Sequence, residues 1–334
     1  MRICVVGAGA IGGLLAAELA ASGEDVTVIA RSAHLKAIKE NGLRLQRHDG
    51  NEVVTQVAAT DEITKIGPQD LVILGVKAHQ VGDIVGDLPS TFDDDTIVMT
   101  AQNGIPWWYF DKVGGPFEGQ SLESVDPGEK IRNSLPIDRV IGSVVYPAAA
   151  IIGPGHIKHI EGNRFAIGEL DGCESARIKT VSETLRKASF KAPILTDIRS
   201  EIWTKLWGNL TFNPISALTH ATLEEICQYP HTRQLATNMM LEAQAIAEKL
   251  GIRFKVSLER RIAGAEAVGA HKTSMLQDVE AGRFLEIDAL VGSVVELGRL
   301  SGTPSPHIDA IYACVKLLQK TLHNSAGHLH VEPN

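Results

Sequence analysis

The chain has 334 residues, 44% of them hydrophobic and 22% charged, with a formal net charge of −8. That composition describes an ordinary globular protein with room for about two domains, each able to bury its own core. It argues against nucleic acid or an anionic membrane surface as a partner, because no long basic block offsets the acidic balance, and small molecules become the expected ligands.

No apolar run of about eighteen residues marks a membrane span. The apolar start is not read as a secretory leader, because glycines interrupt it where such a leader should be continuous. Cys4, Cys173, Cys227 and Cys314 show neither C-x-x-C spacing nor clustering. They suggest no disulfide framework and no metal site, and reduced thiols of this kind point to the cytoplasm.

Arg2-Ile3-Cys4-Val5-Val6 reads as a short buried strand that runs straight into Gly7-Ala8-Gly9-Ala10-Ile11-Gly12, a G-x-G-x-x-G. The first glycine permits a tight turn, the second lets a pyrophosphate approach the backbone, and the third allows close helix–strand packing. A helix follows through Leu14–Ala21, and its free N–H groups and positive dipole end would face a phosphate. Strand, glycines and helix in that order predict a dinucleotide-binding Rossmann fold. The next strand, Asp25–Ala30, ends at Arg31 where NAD-binding folds place an acid on the ribose hydroxyl. A guanidinium there can grip the extra phosphate of NADP, so NADP is the expected cofactor.

Leu71–Val76 is a continuous apolar run, as expected of a parallel strand covered on both faces, and it delivers Lys77-Ala78-His79-Gln80 to the carboxyl edge of the sheet. Thr96–Thr100 delivers Gln102-Asn103-Gly104 to the same edge. From Ile105 to Arg139 the pattern weakens, and this stretch, with Trp107, Trp108, Tyr109 and Phe110, reads as a long ordered loop or lid. Strand signals return at Val140–Tyr146, Gly155–Ile160 and Arg164–Gly168, with alternation that suggests antiparallel pairing at one end of the sheet. His156 and His159 would point to opposite faces of a strand, which discounts a metal there. A helix over Glu174–Ala188 and a short strand at Pro193–Thr196 close this domain, residues 1–197.

Beyond Asp197 the period becomes helical. Helices are expected over Ile198–Asn213, Leu223–Tyr229, Arg233–Leu250, Ser257–Val268, Ser274–Ala281, Phe284–Leu300 and Pro306–His323, an all-α domain of residues 198–323. Residues 324–334 read as a polar, frayed tail. In the first of these helices Lys205, Asn209 and Asn213 recur every four residues and fall within about 80° of one another, a polar stripe on an otherwise apolar segment. Pro214 predicts an end or kink at Asn213. Ser274-x-x-Gln277 has the spacing of a capping box, and Glu286 lies near a helix start on the flank of an apolar arc. A lysine and a glutamate in one cleft would make an acid with a partner that orients it.

These motifs, in this order, closely resemble the ketopantoate reductase (2-dehydropantoate 2-reductase) family over nearly the whole chain. The resemblance implies an α/β N-terminal Rossmann domain joined to an all-α C-terminal domain like that of 6-phosphogluconate dehydrogenase, with the active site in the cleft between. It implies NADPH-dependent reduction of 2-dehydropantoate to (R)-pantoate in pantothenate biosynthesis. Carried over by position, Lys205 matches the proton donor and Glu286 the acid near nicotinamide and substrate. Asn209, Asn213 and Ser274 match substrate contacts, and Asn103 matches a residue that touches both cofactor and substrate. Gly7, Ala8, Gly9, Ala10, Ile11 and Gly12 match the pyrophosphate loop, and Arg31 and Lys77 the basic cofactor contacts.

Three departures bear on the substrate pocket: the long aromatic segment after Ile105, Leu223 where some members have an asparagine, and Val291 in place of another. They keep open a different, bulkier 2-oxo acid as substrate. A non-catalytic NADP(H) sensor is the further alternative, and a homodimer is the assembly left open.

Overall fold

A computed structural model describes residues 1–325. Packing divides the chain into two compact units. The first comprises Met1–Gln102, Trp107–Ser121 and Asp126–Ile198, and the second Asn103–Pro106, Leu122–Val125 and the chain from Arg199 onward.

In chain order the first unit contains β1 (Arg2–Val6), α1 (Ala10–Ala21), β2 (Asp25–Ile29), α2 (Ser32–Asn41), β3 (Leu43–Gln46), β4 (Glu52–Thr55), β5 (Ala58–Thr60) and β6 (Leu71–Leu74). There follow α3 (Val81–Ile84), β7 (Ile97–Thr100), α4 (Lys130–Ser134), β8 (Val140–Val145), β9 (Ala148–Gly153), β10 (His156–Glu161), β11 (Phe165–Glu169) and α5 (Ala176–Lys187).

The main sheet has seven strands in the order β11-β8-β7-β6-β1-β2-β5. Ile3 of β1 pairs with Val26 on one side and Leu71 on the other, both in parallel register. Every neighbouring pair is parallel except β11–β8 at the edge, where Phe165 opposes Val145. β6 is buried along its whole length, as a parallel strand covered on both faces must be.

A second sheet, β4-β3-β10-β9, packs over α1. One side of α1 lies against β1, where a Cβ on Gly12 would meet the Val5 side chain at 3.3 Å. On the other side a Cβ on Gly13 would meet Ile157 of β10 at 2.7 Å. This explains why α1 is apolar nearly all round rather than striped, with Gly12 through Leu19 buried. The second sheet alters the expected topology: His156–Glu161 pairs in parallel with β3 and antiparallel with β9, so of the three expected strands only β11 forms the antiparallel edge.

The aromatic segment is not a lid. Trp107, Trp108, Tyr109 and Phe110 are buried, Trp108 donates to the Thr100 hydroxyl at 3.1 Å, and its ring fills the space over Gly142. Tyr109, Phe110 and Phe117 pack ring to ring. So much apolar area is more stable inside than covering a site, and short 3₁₀ turns and α4 complete the connection.

The second unit is helical: α6 (Ile198–Thr219, entered one residue earlier), α7 (Leu223–Gln228), α8 (Pro230–Lys249), α9 (Leu258–Glu266), α10 (Ser274–Glu280), α11 (Ser293–Ser301) and α12 (Pro306–Asn324). α6 does not stop at Asn213 but runs through Pro214 to Thr219. Proline removes one N–H, to the Leu210 carbonyl, whereas Leu210, Phe212, Ile215 and Ala217 bury side chains on either side and hold the helix together. Asn324 ends α12; residues 326–334, which hold most of the expected tail with His328 and His330, lie outside the described residues.

α10 is capped by Thr273, whose hydroxyl accepts from the Leu276 N–H at 3.3 Å, while Gln277 donates to the Lys272 carbonyl. The N-cap is therefore Thr273 rather than Ser274, and the expected capping box does not form because the residue three positions on is Leu276, which leaves the Ser274 hydroxyl out of the cap. The last-but-one helix also differs: Glu286 precedes it, and Asp288–Gly292 forms a π-turn before α11. Among the described residues no helix is long and apolar enough to cross a membrane.

Candidate active site

The glycine loop expected to hold a phosphate belongs to the first unit. Gly7 has φ +97°, a left-handed conformation that favours glycine, and its N–H and that of Ala8 both donate to the Ile29 carbonyl at 3.1 Å. A Cβ on Gly12 would fall 2.0 Å from the Gly7 carbonyl oxygen, so only glycine permits this closeness of turn and helix. Gly9 differs: nothing lies within 4 Å of where its Cβ would be. Its missing side chain opens space at the N-terminus of α1, where no side chain caps the helix and no acidic residue enters the first turn. Ala10 and Ile11 complete that turn. Unfilled space beside unsatisfied N–H groups fits a pyrophosphate.

Arg31 is exposed at the N-cap of α2, directly after β2. Lys77 is half-buried beyond the end of β6, and its N–H donates to the Gln80 side chain at 3.1 Å. Gln102 binds the β6 end too, donating to the Leu74 and Val76 carbonyls at 2.6 and 3.1 Å.

The second unit gathers the other expected residues. Lys205, Asn209 and Asn213 all lie on α6, at one-turn spacing on one side of the helix. Lys205 Nζ donates to Asn103 Oδ1 at 2.5 Å, and Asn213 Nδ2 donates to the Ser274 hydroxyl at 3.5 Å. Burial pushes the Lys205 ammonium down to about 8, against a smaller opposing pull from the Glu286 carboxylate. Lys205, Asn103 and Glu286 thus interact, and Asn213 meets Ser274 farther along α6.

One feature near the stripe escaped sequence reasoning. The Arg261 guanidinium lies over Gly208, next to Asn209, so closely that a Cβ at 208 would be 2.2 Å from Nη2. The available signal was a lone glycine inside a helix, which usually has a packing reason.

A glycine cradle at a helix N-terminus on a parallel sheet, with a helical unit carrying a lysine of lowered pKa beside an amide and a carboxylate, defines a dinucleotide-dependent oxidoreductase of the Rossmann class. Family models sharpen that class: residues 3–172 match "Ketopantoate reductase PanE/ApbA" and residues 197–319 match its C-terminal domain. The chain belongs to the ketopantoate reductase family.

A 2-dehydropantoate 2-reductase from Mesorhizobium japonicum is 54% identical over 319 residues, covering 95% of this chain and 98% of the relative. Among solved structures, one from Ralstonia solanacearum MolK2, described as a ketopantoate reductase, shares 41% identity and a TM-score of 0.92, covering 96% of this chain and 98% of that one. The 2-dehydropantoate 2-reductase from Methylococcus capsulatus shares 26% identity at a TM-score of 0.81, over 96% and 98% of the two chains.

Proposed function

We propose that this protein catalyses the NADPH-dependent reduction of 2-dehydropantoate to (R)-pantoate in pantothenate biosynthesis, with Lys205 as the proton donor. The observation that carries the reading is the Lys205 ammonium, lowered to about 8 and hydrogen-bonded to Asn103. A lysine held there can both stabilise negative charge and release a proton near neutral pH.

The residues divide the work as follows. The loop Gly7–Gly12 and the N-terminus of α1 would hold the pyrophosphate, Arg31 the additional phosphate, and Lys77 a further cofactor oxygen. When bound, NADPH would supply the hydride that reduces the ketone carbon. One N–H of Lys205 is committed to Asn103, which aims the remaining donors at the keto oxygen. As the C=O π bond opens, the oxygen takes the Lys205 proton, leaving a neutral amine and a secondary alcohol. Glu286 favours the charged form of the amine and orients it. Asn209, Asn213 and Ser274 offer amides and a hydroxyl suited to the carboxylate and hydroxyl of a small keto acid.

The four free cysteines accord with work in the cytoplasm. Burial of Trp107 through Phe110 removes the aromatic segment as a reason to expect a bulkier substrate. Steady-state rates of NADPH oxidation with 2-dehydropantoate against a panel of 2-oxo acids test the assignment. Preference for 2-dehydropantoate is expected, and no turnover of it rejects the proposal. Lys205→Ala separates an enzyme from a sensor: catalysis falls by orders of magnitude while NADPH still binds.

A further inference from the structure

Glu286 leads into its helix through the π-turn Asp288–Gly292. Such a turn breaks the regular i→i−4 ladder and redirects carbonyls, and π-turns recur at functional sites. Here the Ala289 carbonyl accepts from the Ile105 N–H of another segment at 2.9 Å and from the hydroxyl of Ser293, one turn along its own helix, at 2.8 Å. Gly104 approaches so closely that a Cβ on it would come within 2.2 Å of that carbonyl oxygen. The residue before it is Asn103, whose side chain accepts from Lys205. The backbone of the π-turn therefore sets the place of the Asn103–Lys205 pair, and it adjoins Glu286, whose carbonyl accepts from the Leu290 N–H.

The turn is fastened from its other side by α12. The Asp288 carboxylate accepts from the Tyr312 hydroxyl at 2.6 Å and from Lys316 Nζ at 2.9 and 3.0 Å. The Tyr312 ring rests on Gly292, where a Cβ would lie 3.0 Å from Cε2, Cζ and the hydroxyl. Arg299 and Glu296 of α11 also act on Tyr312, and Glu296 in turn accepts from the Glu123 and Ser124 N–H groups and the Ser124 hydroxyl. Burial and the adjacent Asp288 carboxylate push the Tyr312 hydroxyl well up, so it remains a donor through the working pH range.

We propose that Asp288, clamped by Tyr312 and Lys316, is a positioning residue: it fixes the π-turn so that Glu286 and the Asn103–Lys205 pair keep the geometry that proton donation requires. This rests on the assignment of Lys205 as the donor. The tie between α12 and the turn gives Asp288 its effect without any contact to substrate.

The test uses the intact chain and the variants Tyr312→Phe, Asp288→Asn and Lys316→Arg. Acetylation of Lys205 by acetic anhydride, followed by mass spectrometry across a pH series, reads the amine directly and needs no substrate. It therefore stays in force even if the wild type fails to reduce 2-dehydropantoate. In folded Tyr312→Phe and Asp288→Asn the turn loosens and water reaches the amine. The labelling midpoint then climbs from about 8 toward 10.5, by about one unit or more. In the same variants kcat falls about tenfold or more and KM changes less, the pattern of a displaced donor. Lys316→Arg keeps a cation on Asp288 and retains the wild-type midpoint. A midpoint unmoved in folded Tyr312→Phe overturns the proposal. That variant removes a single oxygen, so it decides the question even where Asp288→Asn does not fold.

Discussion

Under the proposed role of Lys205 as proton donor, the pH dependence of the chemical step follows from the state of that one amine. With Lys205 titrating at about 8 rather than at 10.5, the ammonium outnumbers the amine by about ten to one at pH 7 and is outnumbered by about the same factor at pH 9. Keto reduction needs the ammonium, so its rate is level near pH 7 and falls about tenfold per pH unit above about 8. Alcohol oxidation needs the neutral amine and rises through the same value. Single-turnover rates with 4-deuterated NADPH keep hydride transfer as the step observed. Lys205→Arg holds a charge but cannot give up a proton at these pH values, so its profile loses the inflection and the rate falls by about 10² or more. A wild-type reduction rate that stays flat from pH 7 to 10, with a full isotope effect, would refute the assignment of Lys205 as the donor.

The same shift affects folding, with the sign opposite to that of a lysine gaining a partner. The folded pKa lies below the unfolded one, so the penalty is fully present below about 8 and fades as pH rises toward 10.5. Lys205 is half-buried and keeps some water, so the penalty is smaller than the ~3 kcal/mol a dry amine so shifted would carry. In urea unfolding, Lys205→Met is expected to gain more stability relative to wild type at pH 7 than at pH 10.5, and an equal difference at both would count against this linkage. Arg31→Ala should weaken NADPH binding selectively with NADH little changed, measured by fluorescence titration, and parallel losses would remove it from the phosphate site. Gly12→Ala, forced against the Gly7 carbonyl at 2.0 Å, should abolish binding of both nucleotides. Trp108→Ala should destabilise the fold by about 3–5 kcal/mol in denaturant titration while leaving the order of substrate preference unchanged.

Where residue type and period coincide, the chain was readable. The glycine loop sits between a buried strand and an apolar helix because each glycine answers a separate steric demand, and the stripe of Lys205, Asn209 and Asn213 stands out because its neighbours are apolar. Other features depend on partners distant in sequence. β9 (Ala148–Gly153) and β4 (Glu52–Thr55) have little alternation of their own and pair only because β3 and β10 meet over α1. Pro214 misleads because local backbone preference was outweighed by burial around it. Ser274 and Thr273 offer nearly equal cap chemistry, and the choice between them falls to the packing of α10. The π-turn leaves no periodic trace, since its cause is the approach of Gly104 and Ile105 from another segment.

Enclosure of α1 between two sheets has a consequence for recognition. A helix wedged by Val5 on one face and Ile157 on the other cannot recoil when an anion arrives at its tip. If the pyrophosphate binds there as proposed, the amide groups at that tip are already aligned before the encounter, and little ordering entropy is lost on association. On that proposal the outer sheet, which bears none of the proposed reacting groups, would contribute to nucleotide affinity through rigidity.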